Sequence, residues 1–136
     1  MRAEEARERF AAGRVARLAT VAADGTPHLV PIVFALRGDT VYSVVDEKPK
    51  RTADLRRLAN VRASGRASLL VDHYEEDWER LWWVRADGAA RVIDAEEPEA
   101  RRAVEALAER YPQQRPAGAV LAVDVESWRG WSAAGA

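Results

Sequence analysis

With 136 residues, 48% of them apolar and 32% charged, the chain has the length and balance of one globular domain around one core. Its formal net charge of −1 gives no overall electrostatic reason to bind nucleic acid or a membrane surface, so any anion site must come from local clustering. The absence of cysteine excludes disulfides, thiolate zinc sites, iron–sulfur clusters and cysteine nucleophiles together.

No apolar run approaches the roughly 20 residues of a membrane helix. Residues 1–12 form a charged helical pattern without the apolar centre of a signal peptide, so a cytoplasmic protein is expected. Residues 2–12 read as a short helix anchored by Phe10 and stopped at Gly13. Residues 15–22 read as a strand, Asp24-Gly25 as a hairpin turn, and residues 27–36 as a second strand. Pro31 lacks an N–H, which marks an edge, a bulge or an interruption there. A turn at Arg37-Gly38-Asp39 leads to a strand over 40–45, and a polar loop over 46–51 precedes a helix from Thr52 to about residue 59.

A strand over 66–73 and an acidic loop with Trp78 follow. Residues 81–86 and 89–94 then flank Asp87-Gly88, the same dipeptide signal as before, and read as a second hairpin. Pro98 opens a helix running to about residue 111, with Val104, Leu107 and Ala108 as its apolar stripe. A last strand over 119–127 leaves a short tail from Trp128. Six or seven strands, mostly joined by hairpins, with two or three helices, predict a mainly β domain over 1–136. Its antiparallel sheet should close into a barrel.

The densest candidate chemistry is the basic loop carrying Lys48, Lys50 and Arg51 ahead of Thr52. Free helix N-terminal amides, the helix dipole and three cations together suit a phosphate, and Arg56 and Arg57 extend the charge. The same residues also read as a solvated loop paired with Asp46, Glu47 and Asp54. Trp82 and Trp83 must face opposite sides of a strand, one toward the core and one toward a partner or planar ligand. His28 and His73 lack metal-ligand spacing, and no metal site is expected. No GxSxG, GxxxxGK[ST] or GxGxxG motif occurs.

Residues 14–36 (RVARLATVAADGTPHLVPIVFAL), 41–61 (VYSVVDEKPKRTADLRRLANV) and 66–73 resemble the pyridoxamine-phosphate-oxidase-like split-barrel superfamily. Residues 73–92 (HYEEDWERLWWVRADGAARV) resemble its F420-dependent oxidoreductases. That resemblance implies an FMN-binding-like split barrel of six to seven antiparallel strands, acting as a homodimer with cofactor sites at the interface. It implies coenzyme F420, with FMN the alternative, and hydride transfer to a small conjugated or heteroaromatic molecule. A non-catalytic carrier or sensor is the alternative from another class. By the same resemblance Lys50, Arg51 and Thr52 match the phosphate loop, with Lys48 beside them. Pro31, Ile32 and Val33 match the strand against the ring, Ser43 and Val44 the strand next to it, and Trp78 a residue reaching over from the other subunit. Arg56, Arg57, Arg62 and Arg66 are available for an oligoglutamate tail. The resemblance identifies no catalytic residue, which suits chemistry carried by a cofactor.

Overall fold

A strand-rich chain of this size must hide its sheet edges, and the connections here decide how. A computed structural model describes residues 1–46, 52–114 and 116–134. Its elements are α1 (Ala3–Ala12), β1 (Ala16–Val21), β2 (Pro27–Ile32), β3 (Ala35–Arg37), β4 (Thr40–Asp46), α2 (Thr52–Ser64), β5 (Arg66–His73), β6 (Trp82–Ile93), α3 (Pro98–Arg110) and β7 (Pro116–Ser132). A single 3-10 turn, Trp78–Arg80, lies between β5 and β6.

The seven strands form one antiparallel sheet in the order β2-β1-β5-β6-β7-β4-β3. Laid flat, its two edges would stand about 29 Å apart. Yet the edge strands β2 and β3 are joined by Val33 and Phe34 alone. Three Cα steps of 3.8 Å span at most about 11 Å. The sheet therefore curls until its edges meet, with no ladder between β2 and β3 to seal them. The result is a barrel with one split side, as the sequence predicts. Pro31 costs no ladder bond to a second neighbour, because β2 pairs only with β1.

Two cores follow from the alternation of side chains. Inside the barrel, Leu18, Leu69, Val84, Ala86, Val41 and Val123 meet Phe10 of α1 and Leu58 and Val61 of α2. The Phe10 ring lies 4.8 Å from Phe34 and 5.3 Å from Trp128, so α1 plugs one region of the interior with aromatic contacts. On the outer side, Ala100, Ala103 and Leu107 of α3 pack against Tyr42, Val44, Val120 and Ala122.

Four sequence readings change. The expected strand over 27–36 is two strands, broken at Val33-Phe34 where the chain crosses the split. The helix from Thr52 runs on to Ser64, because Asn60 and Val61 are buried on its inner face. The last strand continues to Ser132, paired with β6 as far as Trp82, so Trp128 and Trp131 belong to the sheet and not to a tail. The fourth concerns the second Asp-Gly pair. Asp87-Gly88 does not turn: β6 passes straight through it. A Cβ on Gly88 would sit 2.1 Å from the Asp124 carbonyl oxygen, so glycine there permits the close approach of β7 at a β-bulge. At Asp24-Gly25 the hairpin forms as expected. Gly25 takes φ +92°, its N–H bonds the Ala22 carbonyl at 2.8 Å, and Asp24 accepts from the Thr26 N–H at 3.0 Å.

Candidate functional site at the barrel split

Crossing the split obliges the chain to leave its ladder, and the backbone so freed is held by α3. The Arg110 guanidinium donates to the Phe34 carbonyl at 3.1 Å and to the Gly13 carbonyl, and it lies 5.1 Å over the Phe34 ring. Next to it the Tyr111 hydroxyl donates to the Arg14 carbonyl at 2.9 Å. These bonds fix Phe34 inward, fully buried, and set the position of Val33 beside it.

Against this braced link lies a cavity of about 200 Å³ lined by Pro31, Ile32, Val33, Ser43, Val44, Arg57 and Gln114. The five residues from β2, the link and β4 are thus neighbours in space, although nine residues separate Val33 from Ser43 in sequence. Ser43 is buried. Arg57 is only 8% exposed, whereas Arg56 and Arg62 of the same helix are exposed. One turn along, Asn60 donates to the Thr20 hydroxyl at 3.1 Å and ties α2 to β1, which keeps the Arg57 face of the helix directed inward.

Of the remaining predicted site residues, Thr52 begins α2. Lys48, Lys50 and Arg51 lie outside the described residues. Trp78 is 73% exposed and does not line the cavity. Arg66 is engaged with Glu126 at 3.0 Å. Neither histidine lines the cavity: His28 faces Thr20 across the β1–β2 ladder, and His73 bonds Glu75 and stacks on Trp82 at 6.3 Å. Trp82 and Trp83 do part as expected. Trp82 packs on the barrel core beneath Arg9, while Trp83 faces outward opposite Trp131. Sequence reasoning missed Gln114, which sits in a proline-flanked link where an amide carries no pattern, and gave Arg57 to the charge around the phosphate or to an oligoglutamate tail, not to this cavity.

A second cavity of about 380 Å³ lies between β1, β5 and β6, lined by Ala19, Val21, Ser64, Arg66, Ser68 and Asp87 among others. Its charged groups already have partners, since Arg85 and Ser68 both donate to Asp87 and Arg66 pairs with Glu126. The strongest electrostatic cluster in the described residues is structural. Arg91 makes a two-pronged contact to Glu99 at 2.8 Å and also bonds Asp124 at 2.7 Å. Tyr42 donates to Glu99 at 2.6 Å. The Arg91 and Tyr42 hydrogen bonds hold the Glu99 carboxyl down to about 2, and Arg91 lowers Asp124 as well. Among the described residues no group of three or more His, Asp or Glu side chains is placed to hold a metal, and no helix is long and apolar enough to cross a membrane.

Comparisons with known proteins bear on this geometry. The chain has no match among curated proteins. Among solved structures, it is similar to a conserved hypothetical protein of Mycobacterium tuberculosis, with TM-score 0.76 and 22% identity over 98% of this chain and 86% of that one. It is similar to the heme storage protein HutZ of Vibrio cholerae, with TM-score 0.70 and 15% identity over 97% and 95% of the two chains. It is also similar to an FAD-binding protein of Mesorhizobium loti, with TM-score 0.66 and 21% identity over 96% and 92%. These likenesses establish the fold. The family model for pyridoxamine 5'-phosphate oxidase matches residues 3–132, and the chain accordingly belongs to that family and has its split barrel.

Proposed function

We propose that the chain binds a flavin-type cofactor in the cavity at the barrel split, coenzyme F420 in preference to FMN, and acts as an oxidoreductase on a small conjugated or heteroaromatic substrate. The observation that carries this reading is the convergence of Pro31, Ile32, Val33, Ser43 and Val44 on one cavity that also takes in Arg57. These are the five residues that the resemblance assigns to the ring. The donor set suits such a group, with an apolar strand end for a flat ring face and a hydroxyl, an amide and a guanidinium for its polar edge. Lys48, Lys50 and Arg51 are assigned the phosphate because they directly precede the first turn of α2 at Thr52. The choice of F420 rests on the resemblance of residues 77–88 (DWERLWWVRADG) and on exposed arginines such as Arg56 and Arg62 for an anionic tail. When bound, the cofactor supplies hydride transfer, and the chain's part is to position the ring and exclude competing reactions.

We further propose a homodimer with the sites completed by the second copy. The cavity of about 200 Å³ is smaller than a complete small-ligand site of roughly 300–1,000 Å³. The exposed Trp78 is the residue assigned to reach the partner's site.

The test is the chromophore retained on purification from a host that makes both cofactors, followed by titration of the apo-protein with F420 and FMN. Tighter F420 binding that narrows toward FMN as salt rises is expected, because exposed tail contacts are screened. Tighter FMN binding at both low and moderate salt overturns the cofactor choice. Oxidation of reduced F420 across a panel of conjugated and heteroaromatic acceptors then distinguishes an enzyme from a carrier, with no turnover on any member favouring the carrier.

A further inference from the structure

On the outer face of β2, β1, β5 and β6 a hole and a knob stand side by side. β1 and β5 pair only from Arg17 opposite Leu70 to Ala19 opposite Ser68, although β1 runs on to Val21 and β5 begins at Arg66. Beyond Ala19 the two strands part, and the cavity of about 380 Å³ opens in their fork, lined by Ala19, Val21, Ala67 and Ser68 among others. One strand away, Leu29 lies directly opposite Ala19 in the β1–β2 ladder, so the two side chains share a face. Leu29 is 67% exposed, more than any other leucine, isoleucine, valine or methionine among the described residues.

The two charged residues that line the hole are already paired within the chain. Asp87 accepts from Arg85 at 2.9 Å and from Ser68 at 2.6 Å, and Arg66 bonds Glu126 at 3.0 Å. Beside them Arg17 pairs with Asp72 at 3.6 Å. An ionic occupant would have to break these pairs, whereas an apolar one leaves them intact. A second copy of this face can lie on it without like-charge repulsion, because its charges also cancel locally. In a two-fold assembly, residue i meeting residue j implies the converse. An axis lying in the interface, midway between hole and knob, seats both pairs at once.

We propose that Leu29 of one copy inserts into the β1–β5 fork of a second copy, and the partner's Leu29 into the fork of the first. The inference rests on the homodimer reading above and gives it a specific contact. Val21, 45% exposed at the rim, adds apolar surface around the inserted side chain.

Two variants remove the knob or fill the hole, and their mixture tests whether knob and hole meet. Leu29→Ala should raise the dimer dissociation constant by roughly 10-fold or more, because symmetry removes two contacts at once. Ala19→Leu, which occupies the hole from within its own chain, should weaken the dimer at least as much. Mixed together, the two variants can form a heterodimer with one intact knob and hole and no clash. Sedimentation with one variant fluorescently labelled should therefore show a heterodimer tighter than either variant's homodimer. The inference is overturned if either variant dimerises as tightly as the wild type, or if both are weakened and mixing restores nothing. Circular dichroism controls for folding, and Ala19→Met carries the test if Ala19→Leu does not fold. A wild-type protein that stays monomeric overturns the homodimer reading itself, a result distinct from the others.

Discussion

The two outer walls of the barrel are built from the same kind of strand and finished differently. The wall made by β3, β4 and β7 is covered by α3, whose Ala100, Ala103 and Leu107 are fully buried against Tyr42, Val44, Val120 and Ala122. The wall made by β2, β1, β5 and β6 has no such cover among the described residues. There Leu29 is 67% exposed and Val21 45%, and Trp131 of the adjoining end of β7 is 40% exposed. Between them run Arg17, paired with Asp72 at 3.6 Å, and Arg85, paired with Asp87 at 2.9 Å. One wall is completed within the chain, by small residues that let a helix lie close. The other keeps large apolar side chains in water, as surfaces that meet a partner do. We propose this bare wall as the interface of the homodimer.

The contrast breaks most visibly at Leu107. Leu107→Ala should cost about 2–5 kcal/mol by removing the central contact of α3, read as a lower urea midpoint with unchanged slope. Gly88→Ala tests the seam between the two walls, the approach of β7 to β6. Its Cβ meets backbone rather than a movable side chain, and a loss of about 1–3 kcal/mol is expected from the same measurement.

A smaller effect should come with pH. Glu99 is held down to about 2 and Asp124 is lowered by the shared Arg91, so their contribution is complete above the unfolded carboxylate value near 4.5. It is lost as pH falls from there through about 2. Arg91→Ala should flatten the stability profile across that window, by no more than about 1 kcal/mol because the groups are partly exposed. On the bare wall, Leu29→Glu should change the folding stability of the dilute chain by only about 0.5 kcal/mol or less. Sedimentation should nevertheless show it shifted to monomer at concentrations where the wild type is a dimer. A variant that remains dimeric removes this wall from the interface.

The same comparison shows what the sequence made legible. Local rules located β5 at its true bounds, Arg66–His73, and the hairpin at Asp24-Gly25, because alternation and turn chemistry act within a few residues. The identical dipeptide at Asp87-Gly88 misled, since the reason for Gly88 is a strand some 37 positions away in sequence. Trp128 and Trp131 read as a tail for the same reason, as their ladder partners lie in β6. At the site, resemblance placed Pro31 to Val33 and Ser43 to Val44, while Gln114 reaches the cavity only through the packing of α3 and had no local signature. The phosphate cations Lys48, Lys50 and Arg51 lie outside the described residues, so their assignment stands on the sequence alone.

The claim at the centre is that the cavity at the split holds the cofactor ring, and a variant that fills it tests this most directly. Ser43→Trp places a large side chain in a cavity of about 200 Å³ at the middle of β4, and its folding is checked by circular dichroism. Titration with F420 and with FMN should show saturable binding of at least one to the wild-type protein and a loss of roughly 10-fold or more in the folded variant. Equal affinity in the two proteins would place the cofactor elsewhere on the barrel and contradict the account.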